Sequence, residues 1–205
     1  LACVRHQRDR KREGTAQFPY RLDDDRIDQF CRFAQQLRHY KGKWSGQLIE
    51  LTPIQKFRLG SVVGWVHRKT GLRRFRTAYN ELPRKQGKSL EAAIVALYIT
   101  FFDQEAGAEG YTIATKRDQA KIVFNDAKKL VLSSGLKGRI QVRVSNMHRD
   151  STSSKLEPLG AAHDSTDGLN PSLIPYISKS PRQEIIQSRR AAINMTTPAR
   201  FWNER

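Results

Sequence analysis

At 205 residues with 38% hydrophobic content, the chain is long enough and apolar enough for one α/β domain with a real core, which excludes a disordered polypeptide. Its longest apolar run, Ala92 to Phe102, falls short of the about 20 residues that span a bilayer, so no membrane partner is expected. A formal net charge of +17 and a pI of about 10.3 point to a polyanionic partner, either nucleic acid or the phosphates of a nucleotide.

The first residues, "LACVRHQRDRKREG", are charged throughout and read as a basic helix or arm with no secretory leader. Cys3 and Cys31 have no metal-ligand spacing and cannot build a disulfide framework, which fits a reducing cytoplasm. The histidines are scattered, with no ligand cluster. "FPYRL" breaks the basic run. Asp23 to Tyr40 then reads as an amphipathic helix capped by Asp23 or Asp24, with Ile27, Phe30, Cys31, Ala34 and Leu37 on its apolar face.

"KGKWSGQLIELTPIQKFRLGSVVGWV" gives a turn, a short extended piece and a helix. Thr52, Pro53 and Gln55 form a helix start, with an N-cap, a first-turn Pro and a third-position Gln that can reach back to the cap. Gln55 has a second reading, because an amide carries both the donor and the acceptor that an adenine edge needs. Trp44 and Trp65 are expected in the core.

Phe75 to Leu82 suits a strand, and "PRKQGKS" follows it before an apolar helix. Strand, loop, helix is the setting of a phosphate-binding loop, although Leu82 stands where that pattern has its first Gly. Pro83 stiffens the entrance; Arg84 and Lys85 add cations, and Gln86 completes the loop. Gly87 permits close approach of the backbone to phosphate, Lys88 is placed for the β/γ-phosphates, and the Ser89 hydroxyl for Mg²⁺.

The βα rhythm repeats. Tyr111 to Ala114 reads as a strand and Asp118 to Leu132 as a helix with Ala120, Ile122, Val123, Ala127, Leu130 and Val131 on its apolar face. Thr115, Lys116 and Arg117 fall at the strand's C-terminal end, where parallel α/β sheets bind ligands. "GRIQVRVSN" and "SSKLEPLGA" read as further strands and "HDSTDGLNPS" as a loop.

"ELPRKQGKS", "IATKRDQAKIVFNDAKKLV" and "STDGLNPS", in that order, resemble the N-terminal ATPase domain of phage terminase large subunits. The upstream "FPYRLDDD", "WSGQLIELTPIQ" and "GLRRF" are similar to that family's leader. The resemblance covers about Leu1 to Ser172 and implies a three-layer P-loop NTPase-type α/β fold with a mostly parallel sheet. It tolerates Leu82 in place of Gly and implies that Arg84 acts on the γ-phosphate, with Gln55 on adenine and Lys88 and Ser89 as above. The implied cofactors are ATP and Mg²⁺. The implied partners are double-stranded DNA, a small terminase subunit, the capsid portal and further copies in a ring, in the cytoplasm of an infected or lysogenic bacterium.

The expected partition is a helical leader over 1–45, a partial ATPase domain over 46–172 and a divergent basic tail over 173–205, without the family's nuclease domain. The family's hydrophobic strand ending in an acidic pair would start at Leu173, but Pro175 interrupts it and Ser178 and Lys179 stand where the acids would be. A frameshifted or truncated terminase large subunit with impaired hydrolysis is the leading expectation. The alternative is a non-enzymatic basic protein whose "RKQGKS" contacts a nucleic-acid backbone.

Overall fold

The computed structural model describes residues 2–80, 82–83, 86–103, 105–114, 117–160 and 171–175. The chain forms two compact units that interleave in sequence: Leu1–Gln35 with Glu50–Arg76, and Gln36–Ile49 with Thr77–Arg205.

In the first unit, α1 (Ala2–Arg12) is followed by β1 (Tyr20–Leu22), α2 (Asp24–Gln36), α3 (Pro53–Gly64) and β2 (Trp65–His67). β1 and β2 pair antiparallel, with Tyr20 opposite His67 and Leu22 opposite Trp65. Asp23 caps α2: its Oδ1 accepts from the Arg26 N–H at 3.2 Å. α2 buries Phe30 and Ala34 as expected, and also Phe33. It crosses α3 closely, because a Cβ on Gly60 or Gly64 would collide with the Ile27 side chain.

The unit is centred on one cation. The Arg74 guanidinium lies 4.9 Å from the rings of Phe18 and Phe75, 5.1 Å from Tyr20 and 5.3 Å from Trp65. Its Nη1 donates at 2.7 Å to Oδ2 of Asp9, which is 1% exposed. His6 accepts from the Trp65 indole at Nδ1, 3.3 Å away. Burial, with Arg10 and Arg5 adding to it against the opposite pull of Asp9 and Asp24, holds the His6 pKa below its ordinary value.

The second unit is an α/β arrangement. Helices α4 (Lys88–Phe101) and α5 (Arg117–Ser133) pack on each other and on the sheet. The strands are β3 (Glu109–Ala114), β4 (Gln141–Val142), β5 (Met147–Arg149) and β6 (Ser154–Gly160), in the order β3-β6-β5-β4. β3 and β6 are parallel from Glu109 opposite Lys155 to Ala114 opposite Gly160, with α5 as their crossover. On the other flank of β3, the Tyr111 N–H donates to Leu173 O at 2.9 Å and Ile113 N–H to Pro175 O at 3.2 Å, in a parallel bridge.

The remaining pairings, β6 with β5 and β5 with β4, are antiparallel, so the sheet is mixed. "GRIQVRVSN" is therefore not one strand. It turns back after β4, with the Arg143 N–H on Asn146 O at 2.9 Å, and re-enters the sheet as β5. Pro158 fits within β6 because Lys155 N–H points to β3, so the even positions face β5, whose pairing ends at Leu156.

Three further expectations are corrected. Phe75 to Asn80 forms no ladder with any described residue: its alternating Arg76, Thr77 and exposed Tyr79 break the continuous apolar run that a fully buried parallel strand needs. Ile122 is 40% exposed, and Phe124 takes its place in the core. At 100° per residue, Ile122 points away from the stripe of Val123, Ala127 and Leu130. Trp65 is buried, but Trp44 is 52% exposed, on a 3₁₀ turn over Gly42–Trp44.

Removing the Arg74 charge leaves the buried Asp9 carboxylate with only the exposed Arg8, whose Nε is 3.9 Å away. Arg74→Met is expected to destabilise the first unit by about 3–5 kcal/mol in urea unfolding, and Arg74→Met with Asp9→Leu to recover most of that loss. Equal stability of the wild type and Arg74→Met would contradict the central role of the pair.

Candidate phosphate-binding site

α4 starts in an unusual way. Its N-cap is Gly87, in the left-handed region at φ 75° and ψ 11°, and no side chain caps the helix. A Cβ at Gly87 would meet none of the described residues within 4 Å, so the glycine is required by backbone conformation. The first intrahelical bond runs from Glu91 N–H to Gly87 O at 3.0 Å, which leaves the amides of Lys88, Ser89 and Leu90 at the open end of the helix. These amides and the positive end of the helix dipole form an anion site.

Lys88 is the first helical residue, where a cation opposes the dipole. Its Nζ folds back to donate to Leu82 O at 2.8 Å and closes the loop across six residues. An ammonium has three donors, so two remain for an anion held at the helix end. Leu82 is half-buried at the entrance, Pro83 and Gln86 are exposed, and Ser89 follows Lys88 in the first turn. Glu91, in that same turn, is buried, a residue that the sequence reading did not single out. Arg84, Lys85, Thr115 and Lys116 lie outside the described residues, as do Ser178, Lys179 and the rest of the tail.

Gln55 belongs to the first unit. Its backbone N–H reaches Thr52 Oγ1 at 3.4 Å, and its Oε1 accepts from Thr52 N–H at 2.9 Å, so both halves of the capping box are made. A second polar cluster stands at the start of β3 and β6. Tyr111 Oη donates to Glu109 Oε2 at 2.7 Å, and Lys155 Nζ sits 3.2 Å from Glu109 Oε1. Burial raises the Tyr111 pKa, with Glu109 adding to it, and the contact with Tyr111 raises that of Lys155. The cluster ties the two parallel strands together at the end of the sheet away from the start of α4. Among the described residues, no group of His, Cys, Asp and Glu could hold a metal ion, and no helix is long and apolar enough to cross a membrane.

A helix that starts at a left-handed glycine, with a lysine in its first turn, next to a parallel β–α–β unit, defines an α/β fold of the phosphate-loop type. The family "Terminase large subunit, ATPase domain" matches residues 53–193, more than half of the chain, and the protein belongs to that family. No curated protein matches it. Among solved structures, the large terminase of bacteriophage HK97 aligns with 80% of this chain and 34% of its own, at 22% identity and a TM-score of 0.61, a likeness of fold. The chain spans about a third of the length of that protein. The large terminase ATPase domain of Thermus phage P74-26 aligns more weakly, at 20% identity over 45% of this chain and 44% of its own, with a TM-score of 0.35.

The capping box predicts the cost of losing Gln55. Gln55→Ala is expected to lower stability by about 1 kcal/mol, read from the shift in the urea midpoint. If Gln55 also reads adenine, the same variant loses its preference for ATP over GTP. Unchanged nucleotide preference leaves the residue a helix cap alone.

Proposed function

We propose that this chain binds ATP with Mg²⁺ at the loop from Pro83 to Ser89 and is the nucleotide-binding part of a motor that packages phage DNA. The observation that carries the reading is the start of α4: a helix end at a left-handed glycine, with no side-chain cap and no obstruction among the described residues, and an ammonium held within the loop. The donor set fits a polyphosphate. It offers backbone amides, a lysine and a hydroxyl, and no carboxylate among Pro83 to Ser89 to repel an anion.

In this reading the amides of α4's first turn orient the phosphates, Lys88 places a charge between them, and Ser89 supplies an oxygen ligand for the bound Mg²⁺. Arg84 is the cation assigned to the γ-phosphate and Gln55 the adenine reader, with Lys85 and Gln86 lining the loop. The bound metal nucleotide would supply the charge-neutralised triphosphate that such motors cleave. The partners are double-stranded DNA, a small terminase subunit, the capsid portal and further copies of the chain. The setting is the cytoplasm of a bacterial host. The +17 charge also supports a second reading, a basic protein that binds nucleic acid without using nucleotide.

Two measurements separate and test these readings. Titration calorimetry with ATP and Mg²⁺ is expected to show saturable binding, weakened about 10- to 100-fold in Lys88→Ala through loss of a charge-assisted contact. Absence of binding to the wild type leaves the second reading in place. Single-turnover hydrolysis is expected to stay near background, because Ser178 and Lys179 stand where acids would position metal and water, and losing water positioning costs several powers of ten in rate. Robust turnover that depends on Lys88 would instead place Asp164, Asp167 or Glu184 in the site.

A further inference from the structure

The second unit carries a cationic surface at the end of its sheet opposite the start of α4. α5 runs back along β3 for 17 residues, about 25 Å, so its C-terminal end lies near where β3 begins. There it meets the segment from Gln36 to Ile49. The Arg38 N–H donates to Ser134 Oγ at 2.8 Å, Ser133 Oγ donates to Arg38 O at 3.1 Å, and Lys129 Nζ stands 5.4 Å from the Tyr40 ring. Lys128 Nζ ties the β4–β5 turn to the same helix through Arg143 O at 3.2 Å.

The segment is a firm hairpin. His39 N–H donates to Gln47 O, Gly46 N–H to His39 O and Ile49 N–H to Leu37 O, at 2.7–2.9 Å, and the Arg38 Nη1 donates to Gly46 O at 2.7 Å. Neither 36–49 nor 127–146 contains an Asp or Glu. Arg38, Lys41, Lys43, Lys129, Arg139 and Arg143 are all exposed there. Of the neighbouring carboxylates, Asp126 is buried near Tyr40, where burial first and that carboxylate second raise the phenol's pKa, Asp150 holds Gln141 and His148, and Glu50 stands exposed just beyond the hairpin.

A solvated basic face would need no aromatic. This one presents Trp44, 52% exposed at the hairpin tip with Lys43 Nζ 4.8 Å from its ring, and Val144, 91% exposed at the β4–β5 turn. A hairpin with its backbone bonded internally could have left a polar residue there at no structural cost; an indole and a valine exposed among cations are the observation that favours a contact surface. Cations to neutralise phosphates, together with an indole to lie against the sugars, suit the backbone of a duplex.

We propose that the Gln36–Ile49 hairpin and the adjoining end of α5 form a duplex-DNA contact surface, separate from the phosphate loop, with Trp44 and the adjacent Lys43 seated against the strand. The choice of duplex DNA rests on the packaging reading; the polyanion rests on charge and exposure alone.

The test is fluorescence anisotropy with a labelled duplex across a salt series. It compares Lys41→Gln/Lys43→Gln/Arg139→Gln/Arg143→Gln with Lys11→Gln/Arg32→Gln/Arg68→Gln/Lys69→Gln, which removes the same charge from exposed positions of the first unit. The first variant is expected to flatten the slope of log K against log salt by about 3–4 units, and the second by less than about one. Equal effects, or none in either, overturn the proposal; no effect of the first would point to an acidic protein as the occupant. The conservative Trp44→Phe guards against a variant that fails to fold: duplex should shift the emission of the wild type and not that of Trp44→Phe, and a shift that persists overturns the role of the indole. Duplex binding through the hairpin without any ATP binding would refute the nucleotide reading and leave this surface standing.

Discussion

The close approach of α4 to β3 sets the position of everything at the phosphate loop. Gly110, the second residue of β3, faces Thr100 of α4 and Leu156 of β6, and the two leave no room for a Cβ. Packing this tight fixes the depth at which α4 lies on the sheet, since interiors have little capacity to yield. α4 is buried continuously from Ala93 to Phe101, so it is held along its length while Lys88 and Ser89 stay half-exposed. The result is a rigid helix that presents amides, Lys88 and Ser89 at one fixed place. An anion site built on a packed helix needs no rearrangement to be ready.

The β3 strand is also the point where the unit's two kinds of pairing meet. With β6 and with Ser172–Pro175 it makes parallel contacts, and beyond β6 the sheet continues as an antiparallel meander. The meander and the end of α5 carry the cationic surface, and the parallel side carries the helix that starts at Gly87. The division gives one small unit two chemically different ends. One concentrates backbone donors for a compact anion, and the other spreads side-chain charge over an extended surface.

Elements whose cause is local were legible in the sequence. The capping box at Thr52 and Gln55, the cap at Asp23, the apolar run of α4, and the strands at Tyr111 and Leu156 all follow from residues within a few positions of one another. The misses depend on partners far away in the chain. β1 and β2 are three residues each and exist only because they pair across more than forty positions. Arg74 and Asp9 are sixty-five apart, and nothing near either residue announces the other. Trp44 was placed in the core because indoles usually are, whereas Phe75–Asn80 looked strand-like without a ladder to join. At the candidate site, the loop residues from Pro83 to Ser89 were readable as a pattern, but the clasp of Lys88 on Leu82 O was not, because its acceptor is a carbonyl common to every residue.

Pro158 matters beyond the strand it sits in. β6 outruns β5 by several residues, and an outrunning strand is a template on which another chain can dock. The missing N–H of Pro158 removes a donor from that template. The outermost strand, β4, is only Gln141–Val142, flanked by Arg139 and Arg143, so it offers little backbone and repels a like-charged neighbour. The meander flank of the sheet is thus closed to strand addition. At high protein concentration this keeps neighbouring copies from merging their sheets into an aggregate.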